Sequence, residues 1–309
     1  MANDLKFTEE MFLPAEDNFK EAEKISRPTT SYWSGVWRRL KANKLALIGL
    51  IIIALLIIMA IIGPHLNGYK YDEMHLDQKN LKPSAEHWFG TDTLGRDLFT
   101  RAWSGARISL FIGLAAAVID FIIGVIYGGI SALRGGKTDN IMMRIAEVLY
   151  AIPYLLMVIL IMVVFPEEGR GMFSIIVAMT ITGWIQMARL VRGQVLQLKE
   201  FEYVHASQLA GGKTSWILRK HMIPNTMGPI LVNITLTVPT AIFGEATLSF
   251  LGLGIPAPQA SWGTLASDAL QSILIGNFYQ LLIPAILISL TMFAFNVFGD
   301  GLRDALDPR

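Results

Sequence analysis

The chain has 309 residues, 53% of them hydrophobic, five histidines, no cysteine and a formal net charge of +1. A mean hydropathy of +0.47 at so small a charge does not fit a typical soluble domain, points to a polytopic membrane protein and disfavours a nucleic-acid partner. Without cysteine there is no disulfide or thiolate metal site, and the histidines show no metal-ligating spacing.

Residues 1–30 are polar and mixed in charge, without the basic and then apolar regions of a cleavable signal. From Tyr32 onward, Trp33, Val36, Trp37 and Leu40 recur at helical spacing beside Arg38, Arg39, Lys41 and Lys44. That pattern predicts a helix lying at the lipid headgroups, the alternative being the plain basic flank of the first span. Residues 45–63 are nineteen positions without a charge, long enough to cross a bilayer. Further apolar runs at 108–133, 141–165, 173–190, 227–253 and 278–298 bring the predicted spans to six, an all-α membrane protein. The expected organisation is a tail with an interfacial helix (1–44), a first span and external loop (45–107), a five-helix core (108–300) and a short C-terminal tail (301–309).

Lys and Arg crowd 6–44, 134–144 and 189–220, whereas 251–278 has none. The positive-inside rule therefore puts both termini and the loop 193–222 in the cytoplasm. The loop 64–107 runs against the rule, being placed outside with Lys70, Lys79, Lys82, Arg96, Arg101 and Arg107. It ends in a Gly-broken turn and then a helix with Leu98, Phe99, Ala102 and Trp103 on one side and Arg96, Asp97 and Arg101 available for ion pairs.

Few charges enter the spans. Asp120 lies about 18 Å into the second, near mid-membrane, and Glu245 about 30 Å beyond Pro224, toward the outer face. Each is a candidate for a translocation path, with a packing hydrogen bond as the equal alternative. Arg144 and Glu147, three apart, fit a local ion pair. Gly113, Gly124, Gly128 and Gly129 permit close helix contact, Gly124 and Gly128 as a small-x-x-x-small pair, and Pro239 predicts a kink in the fifth span. Two stretches, 136–138 and 212–214, imitate the Gly-Lys-Thr end of a phosphate loop, but Ser131 and Ser207 stand where its first glycine belongs, so ATP hydrolysis by this chain is not expected.

The loop 202–225 reads as two short helices at an angle. Tyr203, Val204, Ala206 and Ala210 give one helical face, Gly211 and Gly212 a turn, and Thr214 or Ser215 a cap for a second helix that ends before Pro224. Its pattern, with Glu202, Tyr203, Val204, Ala206, Gly211, Ile217, His221, Pro224 and Asn225, resembles the cytoplasmic coupling loop of ABC-importer permeases in the form typical of peptide systems. His205 and Ser207 depart from it, standing where the shorter form has Glu and Ala. Residues 87–110, 245–269 and 299–309 also resemble C-type permease subunits of oligopeptide and dipeptide importers, so the likeness covers the chain from about residue 87 to its end.

The resemblance implies a type I ABC importer fold of six transmembrane helices in the bacterial cytoplasmic membrane. It implies Glu202, Tyr203, Ala206, Ser207, Gly211, Ile217, His221, Pro224 and Asn225 as ATPase-coupling residues. The implied partners are a homologous B-type permease, two ATPase subunits carrying ATP and Mg, and an external substrate-binding protein that delivers peptide; this chain itself would hold no cofactor. Relatives also handle nickel or glutathione. A self-sufficient secondary carrier is the competing class, for which no matching pair of broken half-helices is found.

Overall fold

The computed structural model describes residues 31–164 and 171–307; residues 1–30, 165–170 and 308–309, among them the last residue of the third apolar run, lie outside them. Helix α1 (Tyr32–Ala42) buries Val36 and Leu40 against Ala305 and Leu306 near the other end of the chain. Arg39 Nε donates to the Ala305 carbonyl at 2.8 Å, while Trp33 and Trp37 stay exposed. The predicted apolar face is thus divided between a helix contact and the surface. Asn43 accepts from the Ala46 N–H at 3.2 Å and starts α2 (Lys44–Ile62). This helix is apolar on both sides. Ala46, Gly49, Ile53, Leu56 and Ala60 form the buried stripe, and Leu45, Ile48, Leu55, Ile58 and Ile62 an exposed one, as expected of a helix with protein on one face and lipid on the other.

Helix α3 (Leu98–Arg134) is followed by α4 (Gly136–Ala151) and α5 (Tyr154–Val164), which meet at 86°. Then come α6 (Met172–Lys199), α7 (Glu202–Leu209), α8 (Thr214–Ile217), a π-helical turn (Leu218–Met222) and α9 (Ile223–Phe250). The short α10 (Trp262–Asp268) and α11 (Leu270–Ile273) precede α12 (Tyr279–Leu306). Among the described residues the only β pairing is an isolated bridge between Thr91 and Asp97.

The centre of the bundle is the pair α3 and α6. Ile112 and Ala116 cluster with Ile175, Ile176 and Met179, whereas Val125 and Ala132 cluster with Met187, Val191 and Val195. Rising numbers meet rising numbers, so the two helices are parallel. The segment between them must therefore return across the bilayer, and the bent pair α4–α5 supplies that crossing. With the five helices that are long and apolar enough to span by themselves, the crossings number six.

Three expectations are corrected. The third span is not one helix: Ile152 is extended (φ −77°, ψ 127°) because a residue before proline is pushed from the helical region, and Pro153 has no N–H to continue the ladder. The second helix of the 202–225 loop is not a separate element but the start of a 37-residue rod, Thr214–Phe250, that becomes the fifth span. Pro224 therefore begins nothing new; it sits in the first turn of α9, directly after the π turn, where a missing N–H is tolerated. Lys213, not Thr214 or Ser215, is the N-cap, and it makes no side-chain cap bond.

The crossing by the bent pair is open to test in this cysteine-free chain. Lys137→Cys, in the first turn of α4, and Gly171→Cys, before α6, should react with a membrane-impermeant maleimide from opposite faces of sealed vesicles. Reaction of both from one face would make α4–α5 a re-entrant hairpin.

Candidate coupling loop and translocation path

Helix α7 closes with a Schellman turn. Gly211 takes φ +82°, its N–H bonds the Gln208 carbonyl and the Gly212 N–H bonds the Ser207 carbonyl, each at 3.0 Å. Gly211 has open space around it, so backbone conformation is the constraint there; a β-carbon on Gly212 would instead collide with the Ser207 carbonyl. On the free side of the turn Glu202, Tyr203, His205 and Ala206 are exposed. Phe201, Trp216 and above all Leu209, 90% exposed, add large apolar side chains to that face. These three were missed, although a bulky apolar residue in a polar loop is a signal the sequence carries.

The inner side of the loop is tied to the bundle. Val204, Ile217 and Met222 are buried with Ala132, Val191 and Val195. Ile217, at 2% exposure, lies on the inner side of the loop and holds it onto α3 and α6. Tyr203, His221 and Asn225 are brought together, with Asn225 Nδ2 donating to the His221 carbonyl at 2.5 Å and Tyr203 and His221 rings 6.1 Å apart. Close by, Arg192 of α6 grips Asp139 of α4 through two bonds of 2.6 Å, and Ser131 of α3 donates to the same carboxylate. Three helices meet at that carboxylate, which the sequence reading did not single out. Arg144 and Glu147 form the expected exposed pair at 2.9 Å.

The loop shares its end of the bundle with α1 and the close of α12. Gly228 lies against Leu306, and Leu231 and Val232 pack with α1 and the close of α12. Between this end and the other, beside the break at Ile152 and Pro153, lies a cavity of about 580 Å³. Its wall includes Asp120, Tyr154, Thr182, Gln186, Asn233 and Thr237. Asp120 Oδ1 and Thr182 Oγ1 are buried without a hydrogen-bond partner.

The opposite end is a hydrogen-bonded cap. Asp97 caps α3 through the Thr100 N–H at 2.8 Å and also receives Asn67 and His87. Arg96 pairs with Asp92 at 2.6 Å and Arg101 with Asp268 at 3.2 Å. Burial pushes the Asp268 carboxyl above its ordinary range, and Arg101 and Arg96 oppose that rise. Arg107 donates to the Ala60 and Ile61 carbonyls that end α2, a favourable place for a cation. Three of the six basic residues that ran against the charge rule are thus structural fixtures of the cap.

Glu245 belongs to this end and not to the cavity. Its carboxylate is fully buried, receiving Ser249 at 2.7 Å and Ser261 at 2.6 Å on one oxygen and Ser109 at 3.2 Å on the other. Ser109 in turn accepts the Trp262 N–H. Of the two path candidates, Glu245 sits in a serine cage that joins α10 to α3 and α9, the kind of contact the packing alternative expects.

Residues 120–309 match the family model described as binding-protein-dependent transport system inner membrane component, and 31–83 that of the N-terminal TM domain of oligopeptide transport permease C. The chain is 61% identical to the oligopeptide transport system permease protein OppC of Bacillus subtilis, over 97% of both chains. It is 59% identical to the dipeptide transport system permease protein DppC of the same organism, over 97% of this chain and 93% of that one. The OppC of Escherichia coli K12 is 41% identical over 95% and 96%. Among solved structures, an inward-facing MetNI methionine ABC transporter aligns at a TM-score of 0.54 and 21% identity, covering 66% of this chain and 94% of that one, a likeness of fold.

The serine cage makes a prediction. Glu245→Gln keeps an acceptor for two serines and a group that can meet Ser109, so thermal stability in detergent should stay near wild type. Glu245→Ala takes away the acceptor of three buried hydroxyl donors and should cost about 2 kcal/mol or more, read as a lowered melting temperature. Equal melting of the two variants would show that the cage holds nothing.

Proposed function

This chain belongs to the family of binding-protein-dependent transport system inner membrane components, and from that premise we propose that it is the C-type permease subunit of an ABC importer for oligopeptides or dipeptides. It is a non-catalytic subunit. A homologous B-type permease completes the path, two ATPase subunits bind ATP and Mg, and an external binding protein delivers the peptide. The protein lies in the bacterial cytoplasmic membrane with both termini and residues 193–222 in the cytoplasm.

The single observation that supports this most is α7. It is a short helix whose outer face exposes Tyr203, Ala206 and Leu209 and whose inner face is pinned by Val204. It hangs between two rods, α6 before it and Thr214–Phe250 after it. A groove on an ATPase that takes α7 moves both rods at once. Glu202, Tyr203, Ala206 and Ser207 line the docking side, His221, Pro224 and Asn225 brace it, and Ile217 anchors it from within. ATP closes the ATPase pair and the cavity opens outward to accept peptide; hydrolysis returns it inward. Each step needs only a difference in contact energy between two conformations. Asp120 lines the path in this reading.

Gly211 is the joint. A β-branched residue at φ +82° costs more than about 1 kcal/mol, little against the packing of six spans but comparable to a coupling energy of roughly 1–3 kcal/mol. Gly211→Val should therefore reach the membrane and pair with the partner permease normally. Peptide uptake should fall at least severalfold, with the ATPase subunits lost or no longer stimulated by loaded binding protein. Wild-type uptake and stimulation in the reconstituted Gly211→Val complex would overturn this role for the turn.

A further inference from the structure

The cavity beside the Pro153 break holds one charged side chain among the residues that line it, Asp120. Only 6% of its surface is exposed, and Oδ1 has no donor. Gly183 of α6 makes room for it: a β-carbon there would collide with both carboxylate oxygens. Thr182 Oγ1, next along the same helix, is the second orphan on this wall. The remaining polar wall is neutral, with Gln186, Asn233, Thr237 and Thr240. Arg189 holds its guanidinium 4.4 Å from the centroid of the Tyr150 ring and is not part of the wall.

A buried carboxyl at membrane depth without a donor calls for a cation or a strong donor. Hydroxyls and amides around it can both give and accept hydrogen bonds, as peptide groups require. Taking the cavity as the peptide path, on which this inference rests, we propose that Asp120 receives the α-ammonium group of the passing peptide. The amino terminus is the one cation that a peptide of any sequence carries. The neutral wall then meets the first peptide bonds without reading side chains. Such a contact guides a varied cargo through in one orientation, and a single charge-assisted bond is weak enough to let it leave.

The test uses the assembled transporter in lipid nanodiscs with Thr237→Cys as a reporter on the cavity wall. Tri-alanine should slow maleimide labelling of Cys at that position, and N-acetyl-tri-alanine at the same concentration should not. With Asp120→Asn added, about tenfold more tri-alanine should be needed for the same protection. Equal protection by the two peptides, or discrimination that survives Asp120→Asn, would overturn the proposal while leaving the path intact. The peptide comparison on unaltered Asp120 decides the matter even if the Asn variant does not assemble. No labelling of the reporter in any state would overturn both the proposal and the reading of this cavity as the path.

Discussion

The close, parallel approach of α3 to α6 is the constraint on which the other features depend. Gly124 and Gly128 bring α3 against Met187 and Ala188, where a β-carbon on Gly128 would strike the Ala188 carbonyl. Gly183 extends the same contact line to Asp120. Small residues are what allow such contacts in a bilayer, where lipid offers no hydrophobic drive for helices to associate. Because the two helices run the same way, the chain between them has to climb back, and the break at Pro153 bends that return segment beside Asp120. Because only the break at Glu200 and Phe201 separates α6 from α7, and Val204 of α7 is buried with Val191 and Val195 of α6, whatever moves α7 moves the wall that faces Asp120. The Arg192–Asp139–Ser131 junction then joins α6 to the start of the bent segment and the end of α3.

The two ends of the bundle are built for different work. At the cap, arginines, aspartates and the Glu245 cage spend their hydrogen bonds inside the chain, leaving α10 and the first turn of α3 little freedom. At the loop end, bonds are fewer and large apolar groups stand exposed. Rigid material at one end and an exposed short helix at the other suit a part that transmits motion from a partner rather than generating it.

Much of this was legible in the residues. Five spans follow from apolar length, the Gly124–Gly128 pair from its spacing, and the turn at Gly211 from the need for positive φ. The third span's break was also written, as Ile152-Pro153, but a continuous apolar run hid it, since hydropathy counts residues and does not see a missing N–H. Glu245 and Ile217 could not be placed in this way. Whether a carboxylate meets water or three serines depends on Ser109 and Ser261, far away in sequence, and whether Ile217 faces out depends on Val191 and Val195. Arg192 looked like one more cytoplasmic cation because its partner Asp139 lies 53 residues earlier.

The central claim is that this chain provides a path and a lever while the driving chemistry belongs to partners. Uptake of a labelled peptide into proteoliposomes tests it most directly, with this chain alone compared to the full assembly of both permeases, both ATPases and the external binding protein. The account predicts uptake only by the full assembly, and only with ATP on the side that carries residues 202–222. Concentrative uptake by this chain alone, with or without an ion gradient, would contradict it.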